Sequence, residues 1–161
     1  MTRRLILGEL MYEIDSLYVS TEMILSRRFV EPPLDGLLLE ACLLHFRVVW
    51  DFFYRPKEKK TDVVVSDYVP TWTPTDPPDR LREIRKWLNV MLAHLTSHRV
   101  DPDYRTREIT ENDVDLIRAH TKTLFDALLG APLTKDQRDG LVNPLAFKFS
   151  RYKTLSQAAG S

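Results

Sequence analysis

Two histidines near the middle of the chain, His94 and His98, have the spacing of a helical metal-binding pair. At a separation of four residues both imidazoles project from one face of a helix, where they could chelate a metal ion. A metal site needs further ligands, and no glutamate adjoins His94 to act as a metalloprotease base. We therefore expect a satisfied histidine pair, with no metal and no cofactor.

A second group of polar residues interrupts an apolar stretch. Glu40, Arg47 and Asp51 are separated by seven and four residues, which places them on one narrow stripe of a helix. Because an unpaired buried charge is costly, these groups either pair or face water. An Arg47–Asp51 ion pair at the edge of a bundle is one interpretation. The polar lining of an active site is the other.

Residues 147–153 (FKFSRYK) alternate aromatic and basic side chains. That combination can stack bases while it contacts phosphates, but it is also typical of a terminal segment that packs its aromatic rings on a bundle. The chain as a whole carries 23 basic and 23 acidic residues, so its net charge of zero does not favour nucleic acid.

Apolar residues at spacings of three and four predict that helices must position these groups. The predicted helices cover residues 5–28, 34–54, 77–98 and 111–129, with a short fifth helix after Thr134. Thr110 with Asp113, and Thr134 with Gln137, have the spacing of capping boxes. Gly130 is expected to end the fourth helix in a left-handed conformation.

Residues 55–75 contain three prolines and form a long irregular connection in this prediction. Val63, Val64 and Val65 could form a short strand there. Tyr68 and Trp72 favour a loop packed on the protein over a free linker.

The length of 161 residues predicts one helical domain over residues 1–155, with a flexible tail at 156–161. The single cysteine, Cys42, excludes an intramolecular disulfide framework and favours a cytoplasmic setting. Charged residues interrupt the apolar stretch 34–54, so we expect no membrane span. This second helix is apolar around most of its circumference, which implies neighbours on several sides.

Three segments resemble the HEPN superfamily of small bacterial helical proteins. Residues 43–54 (LLHFRVVWDFFY) are similar to the second helix of these proteins, and residues 88–96 (LNVMLAHLT) resemble their other signature, an Asn-x-x-x-Ala-His-Leu-Thr segment. Residues 11–14 (MYEI) fit the first helix. The resemblance covers about half of the chain and implies a helical bundle. Together with the four predicted helices and the long irregular loop between helices two and three, it predicts an all-α, four-helix up-and-down bundle.

The resemblance also implies a homodimer and, in active members, a metal-independent ribonuclease at the dimer cleft. The usual catalytic signature is an arginine, often followed by a polar residue, with a histidine four to six residues after the arginine. His94 fits the histidine and Asn89 the polar residue, but Leu88 occupies the place of the arginine. Arg47 or Arg85 could supply the cation, and Arg47 is preferred because it lies on another helix.

Two function classes follow. In the first, the chain is a HEPN-like, RNA-directed protein, either a weak ribonuclease or a binder of RNA or nucleotides, with His94, Asn89, Arg47 and His45 at its site. In the second, the same four side chains form a buried polar network inside a non-catalytic helical interaction module. A solvent-open cleft favours the first class, whereas an enclosed, mutually bonded network favours the second.

Overall fold

The computed structural model describes residues 3–26, 34–91 and 108–142, and these residues are helical throughout apart from their connections. They contain five α-helices, a single 3₁₀ turn and no strand. The helices are α1 (Arg3–Leu25), α2 (Leu34–Tyr54), α3 (Asp79–Met91), α4 (Glu111–Gly130) and α5 (Lys135–Val142). The all-α prediction is confirmed for this part of the chain.

The pair α1 and α2 forms the centre of the fold. The apolar stripe predicted for α1 is buried, and it packs most extensively against α2 and further against α4 and α5. In α2 the buried face carries Cys42, Phe46, Val49 and Phe53. These side chains and those of α1 form one continuous core, which also takes in residues of the long connection.

Neighbours cover α2 on several sides, as predicted, since α1, α3, α4 and the 3₁₀ turn all contact it, but its outer face is left uncovered. Leu37 is 58% exposed, and Leu44 and Val48 are each 47% exposed. Within a single chain the described helices cover the inner face of α2 and leave this apolar ridge in water.

The connection between α2 and α3 is a packed loop, as predicted, but the valine run is not a strand. Val65–Asp67 forms a 3₁₀ turn, and the Asp67 carboxylate accepts a hydrogen bond from the backbone N–H of Val64 (3.2 Å). A carboxylate three residues ahead favours this local turn over extended pairing. The rings of Tyr68 and Trp72 pack on those of Phe52 and Phe53.

The start of α4 is capped as the sequence predicts. The Thr110 hydroxyl accepts from the Asp113 N–H (3.2 Å), and the Asp113 carboxylate accepts from the Thr110 N–H (2.9 Å). Arg80 of α3 donates from Nε and Nη2 to the two oxygens of Asp113, both at 2.8 Å. This bidentate pair fixes α3 against the first turn of α4.

The end of α4 differs from the prediction. Gly130 stays within the helix without a left-handed conformation, and Ala131 leaves it with φ −71° and ψ 159°. The Ala131 N–H donates to the Leu128 carbonyl (3.1 Å), so a tightened last turn ends the helix instead. The second capping pair is confirmed, because Thr134 and Gln137 exchange hydrogen bonds of 2.7 and 3.3 Å at the start of α5.

Across the described helices we find no segment whose length and apolar content would let it span a bilayer.

Candidate functional site

An open cleft of about 470 Å³ lies where the C-terminal half of α2 meets α3, and arginine and aromatic side chains line it. We call it the arginine cleft. Spacings of three, four and seven residues from Arg47 bring three further α2 side chains to the same side of the helix. The lining consists of Arg47, Trp50, Asp51, Tyr54, Arg55, Pro56 and Arg85.

Asp51 bonds to α3 and not to Arg47, so the predicted Arg47–Asp51 pair is wrong. Nη2 of Arg85 donates to Oδ1 of Asp51 at 2.5 Å. The Arg85 side chain is only 12% exposed, and a guanidinium so withdrawn from water is costly to leave without a carboxylate. No hydrogen bond or ion pair joins Arg47 to another residue in the described ranges.

The cleft therefore carries excess positive charge. Three guanidinium groups line it against the single carboxylate of Asp51. Arg55 bonds to Glu58 (2.8 Å), but both side chains of that pair are exposed, so the pair is weak and open to exchange. Arg47 and Arg55 can thus contact an anion without breaking a buried interaction.

Aromatic rings form one wall of the cleft. The rings of Trp50 and Tyr54 lie 4.5 Å apart at 36°, and Phe46 supports Trp50 from the core side at 5.6 Å. A tryptophan held in this way offers a rigid apolar surface beside the arginines.

The hydroxyl of Tyr54 is fixed by two hydrogen bonds. It donates to the carbonyl of Thr75 (2.8 Å), so Nε2 of His120, at 2.7 Å, must donate to the hydroxyl oxygen. Burial lowers the pKa of His120, which is consistent with a neutral imidazole. Burial also raises the pKa of Tyr54 to about 12, with a contribution from Asp76 and opposition from Arg82. Tyr54 is therefore a neutral, immobilised side chain at neutral pH.

His45 lies away from the arginine cleft, against α1. Its Nδ1 donates to Oε2 of Glu13 (2.7 Å), and the Tyr12 ring meets it edge-on at 6.0 Å. Residues 45 and 47 differ by about 200° in direction on an ideal helix, so they cannot share one site. His45 therefore contacts α1 and is not among the residues that line the arginine cleft with Arg47.

Asn89 and His94 belong to the predicted site but are only partly placed. Asn89 lies in α3 one turn beyond Arg85, and the placement of its side chain is not described. His94, His98 and residues 147–153 lie outside the described residues. Among the residues that are described, no group of three or more His, Cys, Asp or Glu could hold a metal ion.

The direction of α3 follows from two contacts. Tyr54 bonds to Thr75 ahead of α3, whereas Asp51, one turn earlier in α2, bonds to Arg85 within α3. The two helices are therefore antiparallel. This register predicts that the turn of α3 that carries Asn89 lies beside the turn of α2 that carries Arg47.

A second cleft, of about 310 Å³, lies on the other side of Asp51 between α1 and α2. Glu9 and Glu13 of α1 face Val48 and Phe52 of α2 there. Arg55 also lines this cleft, but the carboxylates of Glu9, Glu13, Asp51 and Asp62 outnumber it, which makes the cleft unsuited to a phosphate and contrasts with the arginine cleft beside it.

Sequence reasoning identified Arg47 but missed the aromatic wall. Trp50 and Tyr54 stand three and seven residues after Arg47, and this spacing was available as a signal. Asp51 was predicted with the wrong partner, because the choice between the two arginines depends on how α3 packs on α2.

Comparisons of the chain with protein-family models, with curated proteins and with solved structures return no match. The geometry of the clefts is therefore the basis for assigning a function.

Proposed function

We propose that the chain is an RNA-directed protein of HEPN-like type that binds single-stranded RNA or nucleotides in the arginine cleft. The observation that carries this proposal is the open cleft in which three arginines stand beside the Trp50–Tyr54 pair. Guanidinium groups pair with phosphate oxygens, and an aromatic face stacks on any base. A single strand presents both groups together, whereas a duplex hides its bases.

Metal-independent cleavage is the finer part of the proposal. It requires a base at the 2′-hydroxyl and a cation at the scissile phosphate. We assign the base to His94, a polar contact to Asn89 and the cation to Arg47, which replaces the arginine absent at Leu88. The antiparallel register of α2 and α3 supports the pairing of Arg47 with the signature segment. His45 is assigned to the contact between α1 and α2, because its ring is held by Glu13.

The wider assignment is an up-and-down bundle of the four long helices, with two copies forming a homodimer. The helical content and the antiparallel α2–α3 pair support the bundle. The exposed apolar ridge of α2 supports a dimer, because a monomer rarely leaves such a surface in water.

A second function, a non-catalytic interaction module, is favoured by one contact. The His45–Glu13 bond, with Tyr12 against the imidazole, is a polar contact that fixes the register of α1 on α2. A network of this kind stabilises one packing and needs no substrate.

RNA binding is tested with a fluorescently labelled single-stranded 12-mer titrated at several salt concentrations. Arg47→Ala should weaken binding and reduce the slope of log affinity against log salt by about 0.7, the value for one lost phosphate contact on a single strand. Trp50→Leu should weaken binding by about tenfold, with the slope unchanged, because stacking is worth roughly 1–3 kcal/mol per base.

Arg118→Ala is the matched control, since Arg118 lies on α4 outside the cleft and bonds to Asp115 and Glu22. Equal affinities for the Arg47 and Arg118 variants would place binding elsewhere and refute the assignment.

Cleavage is tested on the same RNA by gel electrophoresis, with and without a chelator. We expect cleavage that the chelator leaves unchanged and that His94→Ala abolishes without a change in the circular dichroism spectrum. If the protein neither binds nor cleaves RNA at micromolar concentration, and His94→Ala lowers the melting temperature, the interaction module is the correct assignment.

A further inference from the structure

The cleft of about 310 Å³ between α1 and α2 has no part in the proposed function. Apolar side chains and carboxylates line it together, and the buried side chains of Leu10, Phe52 and Val64 form its base. Val48, also in the lining, is 47% exposed. We call this cleft, with its four carboxylates at residues 9, 13, 51 and 62, the acidic cleft.

Two of the four carboxylates form no ion pair with a described residue. Glu13 and Asp51 are already bonded, to side chains of α2 and α3 respectively. No hydrogen bond or ion pair joins the exposed Glu9 to another residue in the described ranges, and there the Asp62 carboxylate accepts only a backbone N–H, at 2.9 Å. The acidic cleft therefore offers unpaired negative charge beside an apolar surface. A ligand with both basic and aromatic groups fits it, because cations pair with carboxylates while rings and alkyl stems lie on apolar side chains.

The chain itself contains a segment of this composition. Residues 147–153 (FKFSRYK) hold three aromatic and three basic side chains and no acidic one. They lie outside the described residues, which end at Val142 in α5. Because α5 packs on α1, the chain leaves the described part beside the helix that carries Glu9 and Glu13.

The length of chain after Val142 is sufficient to reach the acidic cleft. At about 3.6 Å per residue, residue 147 can lie up to about 18 Å from Val142 and residue 153 up to about 40 Å. A helix with its side chains is about 10–12 Å across, so this length can pass around α1.

We infer that residues 147–153 dock in the acidic cleft of their own chain, with their rings on its apolar side chains and their basic groups on Glu9 and Asp62. The docked rings cover Val48, and the basic groups supply the cations that the two carboxylates lack. The carboxylates that attract this segment also repel a phosphate backbone, so the cleft selects the peptide over RNA. The inference goes beyond the proposed function and does not depend on RNA binding in the arginine cleft.

Docking is tested by nuclear magnetic resonance on the full chain with a nitroxide spin label at Ser150→Cys. Cys42 is fully buried, so the label reacts at position 150 of the folded protein. The amide signals of Glu9 and Val63 should lose more than half of their intensity. The signal of Asp115 is the control and should keep its intensity, because Arg118 joins this residue to Glu22 near the opposite end of α1. Unchanged signals at the acidic cleft overturn the inference.

A mixed sample separates docking within one chain from docking on a second copy. The spin label is placed on one preparation and the isotope on another, so a loss of intensity reports only contacts between chains. We expect no loss at the acidic cleft in this sample. A loss as large as that in the singly prepared protein would assign the segment to a second copy and overturn the inference.

The charge and the rings are tested separately in the spin-labelled chain. Glu9→Lys should at least halve the loss of intensity at Val63, whereas Glu22→Lys, the same change on α1 outside the cleft, should leave it as it was. The double variant Phe147→Ser and Phe149→Ser removes two rings without a change of charge and should also at least halve the loss. Circular dichroism at 222 nm confirms that each variant is folded. Equal effects of the two lysine variants, or a loss that survives the serine substitutions, overturn the inference.

Discussion

Replacing Asp113 with asparagine removes the carboxylate that joins α3 to α4. The carboxylate is 8% exposed and accepts two hydrogen bonds from Arg80 and one from the Thr110 N–H. The hydrogen bonds from Arg80 lower its pKa to about 2 from the ordinary 3.8, with help from Thr110 and against the effect of burial. Since α3 carries Arg85 and Asn89, this contact also holds the arginine cleft in shape.

The size of the effect follows from the shift in the pKa. Each unit of pKa difference between the folded and unfolded chain corresponds to about 1.4 kcal/mol, so the lowered pKa represents about 2 kcal/mol of stability at neutral pH. Because the folded value lies below the unfolded one, this contribution is complete above the unfolded pKa and is lost as the pH falls through the folded pKa. About half of it is gone at pH 3.

Urea unfolding followed by circular dichroism at 222 nm, from pH 7 to pH 3, measures this contribution. Asp113→Asn should unfold with about 2 kcal/mol less free energy at pH 7, and the difference from the starting protein should shrink to about half at pH 3. Asp115→Asn, next to it but exposed in its pair with Arg118, should cost less than about 1 kcal/mol. A difference for Asp113→Asn that stays constant across this pH range would refute the electrostatic reasoning.

Three further outcomes are expected. The Cys42 thiol is buried, and burial raises its pKa to about 12, so a colorimetric thiol reagent should react with it only in denaturant; rapid reaction of the folded chain would contradict its burial. Burial lowers the pKa of His120 below the ordinary 6.5, so the unfolded chain takes up the proton first. The melting temperature should thus fall as the pH drops below 6.5, and His120→Gln should lessen this fall; an equal fall in both proteins would contradict it. Leu88→Ala, at a fully buried position, should cost about 2–5 kcal/mol in urea unfolding, whereas Leu44→Ala on the exposed ridge should cost far less; similar costs would contradict the core assignment.

Local rules predicted the helices best. The bounds of α2 agree with the sequence prediction at both ends, and the capping pair of Thr110 and Asp113 forms as expected. Both depend on residues within a few positions of each other. The valine run 63–65 does not form a strand, because Asp67 bonds to the backbone of Val64 and β-propensity does not account for such a bond. Gly130 does not end α4 in a left-handed conformation, because the Ala131 N–H bonds to the Leu128 carbonyl and tightens the last turn.

The site was predicted less completely, since its contacts join distant parts of the chain. Arg47 was singled out correctly as a lining residue, but the choice of Arg85 as the partner of Asp51 depends on the packing of α3 on α2. The separation of His45 from Arg47 was available from helix geometry alone, since they stand on opposite sides of α2. The roles of Asn89 and His94 stay predictions.

The hydrogen bond between Tyr54 and Thr75 has a consequence for how the chain can vary in length. This bond joins the two ends of the connection between α2 and α3, so these ends stay close together whatever the length of the loop between them. The exposed tip at residues 57–61, beyond the two residues that line the arginine cleft, could accept insertions, because doubling the length of a flexible loop costs only about 0.6 kcal/mol. The segment from Val64 to Val69 cannot vary in this way, because its side chains are part of the core. We therefore expect relatives of this chain to differ in length at the lysine-rich tip. They should keep the buried segment from Val64 to Val69 and a tyrosine at the position of Tyr54.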